Sequence, residues 1–198
     1  MATTKKRMRG PERRAQLLNV ARTVFAREGY HTVTMDDVAA EAGITKPILY
    51  DHFPSKRELY LALLETDLGE LRQRVHAALQ ASTGNRERIR ASIQSYFDFV
   101  DEHAEGFRLL MQEAIGAERE FRDMIGAFRE GVHKEVAEVI VKGSKGKVSR
   151  ADAEVVAQGL IGMTEAAAQR GLGGSAEDRA RAVDALVRLA WRGITGLA

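Results

Sequence analysis

Proline interrupts this chain only at positions 11, 47 and 54, so from residue 55 onward no ring removes a backbone donor from a helix. No stretch alternates apolar and polar residues at period two for long enough to pair as a sheet. Apolar residues recur instead at spacings of three and four, the period of one helix face. The expected fold is all-α.

Local signals divide the chain. Leu17, Leu18, Ala21, Val24 and Phe25 share one helical face, and Gly29 stands where a C-terminal cap belongs. Thr34-Met35-Asp36-Asp37 has the form of a capping box opening a short helix that Gly43 ends. Thr45 opens another, with Pro47 in its first turn, where a missing N–H costs little. Phe53-Pro54 stops it. Ser55-Lys56-Arg57-Glu58 then starts a long helix to about Ala81, with Leu64, Leu68, Leu71, Val75 and Leu79 along one stripe. At ~1.5 Å per residue it is roughly 40 Å long. Further helices are expected over 86–103, 105–115, 118–142, 150–170 and 176–195, with Ser149 and Ser175 as start signals for the last two. The domain reading is a basic arm over 1–11, a first helical unit over 12–54 and a second helical domain over 55–198.

Charge is unevenly placed. Residues 1–60 hold 11 Lys/Arg against 7 Asp/Glu, whereas the remainder holds 19 against 21. A basic front on a near-neutral body suits contact with a polyanion, although a solvated tail has the same charge. Three helices within about fifty residues, the last two short and joined at Gly43, form the layout of a helix-turn-helix. Val38, Ile44 and Leu49 supply the apolar seam between them. Thr45, Lys46 and Tyr50 place donors where a recognition helix meets a groove.

The stretch Arg14-Ala15-Gln16-Leu17-Leu18, then Phe25-Ala26-Arg27-Glu28-Gly29-Tyr30, Thr34-Met35-Asp36-Asp37-Val38-Ala39 and Ala42-Gly43-Ile44-Thr45-Lys46 resembles the TetR family. Leu49-Tyr50-Asp51-His52-Phe53-Pro54-Ser55-Lys56-Arg57-Glu58-Leu59 completes the resemblance, which covers about residues 12–60. It implies that Thr34, Thr45, Tyr50, His52 and Lys56 touch phosphates or groove edges. It also places Lys46, Pro47 and Ile48 at the leading face of the recognition helix. Asp51 stands where the family often has an aromatic or a basic residue, and faces either a cytosine amine or water.

The last two expected helices are apolar on more than one face, while a surface helix of a monomer needs only one such stripe. Val155, Gly159, Gly162 and Ala166 on one, with Leu186, Leu189 and Gly193 on the other, are the candidate seam of a two-fold, four-helix dimer interface. The alternative is burial inside the monomer. The middle helices concentrate aromatics and methionine, the side chains of ordinary cores and of adaptable apolar pockets alike. The candidate ligand residues are Tyr96, Phe107, Met111, Gln112, Met124, Phe128, Gln158 and Met163.

Other chemistry is thinly supported. The five histidines lack metal-ligand spacing, no glycine loop has the context to cradle phosphate, and no cysteine is present. No metal, cofactor or catalytic set is expected. No apolar run is long enough to cross a bilayer, and no apolar signal core follows the basic N-terminus, which points to the cytoplasm. The reading is a dimeric regulator on double-stranded palindromic DNA, most simply a repressor released by a largely apolar small molecule. A ligand-independent architectural DNA binder is the alternative. A helical enzyme or carrier stands third.

Overall fold

The structure, a computed structural model, describes residues 10–81, 84–104, 107 and 119–197, with side chains as far as Gly193. Within the described residues there are eight helices and no strand: α1 (Gly10–Glu28), α2 (Met35–Glu41), α3 (Lys46–His52), α4 (Lys56–Ala81), α5 (Asn85–Glu102), α6 (Arg119–Gly143), α7 (Arg150–Arg170) and α8 (Ala176–Leu197). The expected boundaries hold to within a residue or two. Lys5, Lys6, Arg7 and Arg9 of the basic arm lie outside the described residues. So does the helix expected over 105–115, apart from Phe107.

The described chain divides into two compact units, and the division falls inside α4, between Asp67 and Leu68. The first holds residues 10–67 with Phe107, so it continues past Pro54 into the first turns of α4. Its core is the face read from sequence: Leu17, Ala21, Val24 and Phe25 of α1 meet Val38 of α2, Leu49 of α3 and Leu59, Tyr60 and Leu63 of α4 in full burial. Phe25 and Tyr60 pack edge to face at 5.1 Å between ring centroids, an arrangement favoured by the ring quadrupoles.

Helix ends in this unit are set by local chemistry. Thr34 Oγ1 accepts from the Asp37 N–H at 3.3 Å, while the Asp37 carboxylate accepts from the Thr34 N–H at 2.8 Å, a complete capping box. Gly43 turns the chain from α2 toward α3 at φ 63°, a left-handed conformation that a Cβ would strain. Ser55 Oγ accepts from the Glu58 N–H at 3.1 Å as α4 begins.

The second unit contains residues 68–81 of α4 with α5 to α8. α6 and α7 form an antiparallel pair whose seam near the connecting turn is small and dry: Ala137 and Ile140 pack with Val148, Ala153 and Ala157. Asn85 Nδ2 donates to the Gly143 carbonyl at 3.0 Å, which sets the start of α5 against the end of α6. α8 packs on α5, with Arg90–Asp184 at 2.6 Å and Arg179–Asp101 at 3.0 Å marking an antiparallel register. Arg74 of α4 bridges Glu70 and Glu102, both at 2.6 Å, and ties α4 to the end of α5. No helix is long and apolar enough to cross a membrane among the described residues.

Candidate nucleic-acid interface and effector cavity

α3 is a seven-residue helix that buries one residue fully, Leu49, and turns the rest outward. Thr45, Lys46, Pro47, Ile48, Tyr50 and Asp51 are all exposed, and His52 is half-buried. Ile48 at 41% and Tyr50 at 39% are two of only four large hydrophobic side chains exposed among the described residues. Apolar side chains held in water on a seven-residue helix suit contact with base edges or a thymine methyl better than they suit folding. Thr45 is the N-cap, yet its side chain makes no capping bond, which leaves its hydroxyl for another acceptor. Asp51 faces water.

Lys46 is held in place before any ligand arrives. Its ammonium lies 2.9 Å from Asp36 and 6.0 Å from the Tyr50 ring centroid, and the Asp36 hydrogen bond pushes its pKa upward. Both partners are more than half exposed, so this pair is weak and exchangeable.

Two residues expected at phosphates are engaged within the chain. Lys56 Nζ donates to the carbonyls of Tyr30 at 2.8 Å, Val33 at 2.8 Å and His31 at 3.3 Å, and it lies 4.7 Å from the Tyr30 ring centroid. An ammonium has three donors, and all three are used to hold the α1–α2 turn. These carbonyls account for a cation in the first turn of α4. The Thr34 hydroxyl is likewise taken up by its capping box, accepting from the Asp37 N–H and donating to the Asp37 carboxylate at 2.7 Å. Sequence reasoning gave Arg14 no role beyond its place in the family resemblance. Its guanidinium lies 4.3 Å from the Phe53 ring centroid and donates to the His52 carbonyl at 3.3 Å, bracing the end of α3.

The second unit encloses a cavity of about 420 Å³, within the range of small-molecule sites. Its wall is mainly aliphatic: Leu71, Val75 and Leu79 from α4, Ile89 and Ile93 from α5, Val132, Val136 and Val139 from α6, Leu160 and Ile161 from α7. Of the expected ligand residues Tyr96 and Phe128 line it, and Trp191 joins them. Four other expected ligand residues, Phe107, Met124, Gln158 and Met163, are not part of the lining. Phe107 is buried in the first unit. Met124 sits one helical turn before Phe128, outside the lining, and Met163 is turned about 100° from the Thr164 that does line it. Gln158 is exposed and outside the lining, about 160° around α7 from Leu160 on its outward side. Met111 and Gln112 lie outside the described residues.

That same outward face of α7 carries the stripe read as a dimer seam. Val155 is 71% exposed and Leu189 of α8 is 62% exposed, completing the four exposed large hydrophobics. Gly159, Gly162, Ala166 and Gly193 are exposed as well, and Leu186 is half-buried. A Cβ built on Gly159, Gly162 or Gly193 meets nothing within 4 Å. These glycines are therefore not required by packing inside the chain.

With this geometry in hand, comparison with known proteins is direct. Residues 17–63 match the family "Bacterial regulatory proteins, tetR family", and residues 85–193 match "Tetracyclin repressor-like, C-terminal domain". The transcriptional activator FasR of Mycolicibacterium smegmatis (strain ATCC 700084 / mc(2)155) is 36% identical over 185 residues, covering 93% of this chain and 84% of that protein. The nucleoid occlusion factor SlmA of Vibrio atlanticus (strain LGP32) is 28% identical over 174 residues, 86% of this chain and 87% of that one. A TetR-like transcriptional regulator from Rhodococcus sp. RHA1 superposes with a TM-score of 0.81 at 31% identity, covering 96% of this chain and all of the other. The helix-turn-helix, the helical second unit and these relatives agree: the chain belongs to the TetR family of DNA-binding transcription regulators, and it is not an enzyme.

Proposed function

We propose that the protein is a cytoplasmic homodimer that binds a palindromic operator through its two α3 helices and is released by a largely apolar small molecule. The observation that carries this reading is the outward face of α3, where Thr45, Lys46, Ile48 and Tyr50 stand exposed over a buried Leu49. Those four, with Pro47 and His52, are the proposed groove and backbone contacts. Thr34 and Lys56 support the interface from behind by fixing the turns that carry it.

In the dimer, Val155, Gly159, Gly162 and Ala166 of α7 pack with Leu186, Leu189 and Gly193 of α8 against the same residues of a second copy. Two heads would then enter major grooves about 34 Å apart on one side of the duplex. Lysine and arginine supply affinity that falls with salt, while α3 supplies sequence preference.

The effector seat is the cavity. Leu71, Val75 and Leu79 line it from the same helix whose earlier turn carries Asp67, so a ligand that displaces α4 acts on the residue that Arg22 grips. It shifts the equilibrium only by its preference for the non-binding form, typically ~1–3 kcal/mol. On an operator overlapping a promoter, this cycle is repression lifted by ligand. The M. smegmatis relative is named as an activator, so the sign of regulation depends on where the operator lies. The architectural, ligand-free alternative calls for a filled second unit, and a cavity of about 420 Å³ favours the effector reading over it.

The test is selection of bound sequences from a random duplex pool, followed by a screen for small molecules that release the selected DNA. A palindromic consensus released by an apolar compound is the expected result. Equal binding to every duplex, unaffected by any compound, would overturn the proposal.

A further inference from the structure

The two ends of the cavity differ in character. Along α6 its lining runs from Phe128 and Arg129 to Gly143, roughly 20 Å at ~1.5 Å per residue. Neighbouring helices follow the same axis: Asn85 meets Gly143 at one end, and Tyr96 faces Arg129 and Glu165 at the other.

The Gly143 end is exposed and cationic. Lys145 and Lys147 stand exposed on the α6–α7 turn, with Arg88 half-buried nearby. No described carboxylate forms an ion pair with either lysine. At the far end the charges are matched. Tyr96 is 8% exposed, and burial first, then Glu165, pushes its phenol ionisation far upward. Across this end Arg129 grips Glu165 through Nε at 3.2 Å and Nη2 at 3.1 Å, joining α6 to α7. Between the ends the wall offers little to a polar ligand. The Ser92 hydroxyl is turned onto the Arg88 and Ile89 carbonyls at 2.9 and 3.1 Å, and that of Thr164 onto the Leu160 carbonyl at 2.7 Å.

Resting on the reading of this cavity as the effector site, we propose that its ligand is a linear anionic amphiphile, with its head at Lys145 and Lys147, and that the Arg129–Glu165 pair is the stop that sets the longest chain accepted. A carboxylate or phosphate head has no place at the inner end, because Glu165 already satisfies Arg129 and would repel a second anion. An alkyl terminus reaching the pair cannot replace its two hydrogen bonds, so further methylenes must bend back or break it. Up to that point each methylene buried strengthens binding about fourfold.

Trp191, the only tryptophan, lines the cavity and reports occupancy by its fluorescence. Full-length protein is titrated with saturated straight-chain carboxylates of increasing length, then with monoalkyl phosphates to distinguish the two head groups. Affinity is expected to rise about fourfold per methylene and then level off at a limiting length. Arg129→Met with Glu165→Leu moves that limit to longer chains. Lys145→Gln with Lys147→Gln weakens every length by a similar factor and leaves the limit in place. Val136→Phe, midway along the wall, shortens the limit and decides the matter if the Arg129/Glu165 double variant does not fold. A limit unmoved by these changes overturns the stop while leaving the effector site standing. No Trp191 response to any chain of either series sinks both.

Discussion

Arg22 of α1 and Asp67 of α4 hold each other through two parallel hydrogen bonds, Nε donating to Oδ2 at 3.1 Å and Nη2 to Oδ1, with the Asp67 side chain only 3% exposed. The bidentate fork fixes distance and orientation together, so α1 cannot rotate against this turn of α4 without leaving a buried carboxylate unpaired. Neither residue stands out in the sequence, where Arg22 is one of many cations and Asp67 interrupts an apolar stripe.

Removing one partner is therefore expected to cost more than removing both. Arg22→Ala strands the Asp67 carboxylate and should destabilise the first unit by about 3–5 kcal/mol. Arg22→Met with Asp67→Leu replaces the pair by apolar volume and should lie within about 1–2 kcal/mol of the parent. Chemical denaturation followed by far-UV circular dichroism measures both. Equal losses in the single and double variants would mean that the pair is not the restraint.

The two lysines near α3 should separate cleanly. Lys46→Ala removes a cation facing solvent, so the operator dissociation constant should rise and the slope of log affinity against log salt should shrink by about one unit. Its melting temperature should barely move, because the Lys46–Asp36 pair is exposed. Lys56→Met removes three hydrogen bonds from the α1–α2 turn and should lower the melting temperature while leaving the salt slope intact. Salt-dependent gel shifts and thermal melts of both variants make the comparison. A reduced salt slope in Lys56→Met would restore it as a phosphate contact.

Acid should weaken the head through the α2 cap. The hydroxyl and N–H of Thr34 hold the Asp37 carboxyl below the usual carboxylate range. The folded protein therefore binds that proton less readily than the unfolded chain does. The resulting stability is fully present above the unfolded pKa and is lost as pH falls through the lower folded value. Asp37→Asn should remove this contribution at neutral pH and flatten the decline between about pH 5 and pH 3. Urea midpoints measured across that range would show it. A decline as steep as the parent's would place the acid sensitivity elsewhere, with Glu102, lowered by Arg74, the next group to change.

The sequence carried most of this architecture because its signals are local. Capping motifs, Gly43, Pro47 and the stripe from Leu17 to Phe25 act within a few residues, and each places a helix end or a core face where the structure has it. The exposed face of α3 was legible for the same reason. What was not legible depends on pairing between distant positions. Lys56 and Arg14 find carbonyl acceptors more than 20 residues away, which no local pattern announces. The cavity was sought among Phe and Met, yet half of its lining residues are β-branched or leucine. Val132, Val136, Val139 and Ile140 are poor choices for helix propensity alone, and that run on α6 was the signal available.

The proposed dimer seam consists of apolar surface that the chain itself leaves uncovered. Val155 and Leu189 are largely exposed, and the glycines beside them have open space above their Cα atoms. Exposed apolar side chains next to residues without side chains suit a second helix approaching closely, and a two-fold interface places each seam against its own copy. Val155→Asp with Leu189→Asp would bring four carboxylates into that contact while leaving the monomer's packing untouched. The variant is expected to sediment as a monomer with the parent's helical content. It should also bind a palindrome no better than a single half-site, because the gain from linking two heads is lost. A variant that remains dimeric would move the interface to another face. A monomer that still prefers the palindrome would show that the heads pair on DNA without this seam.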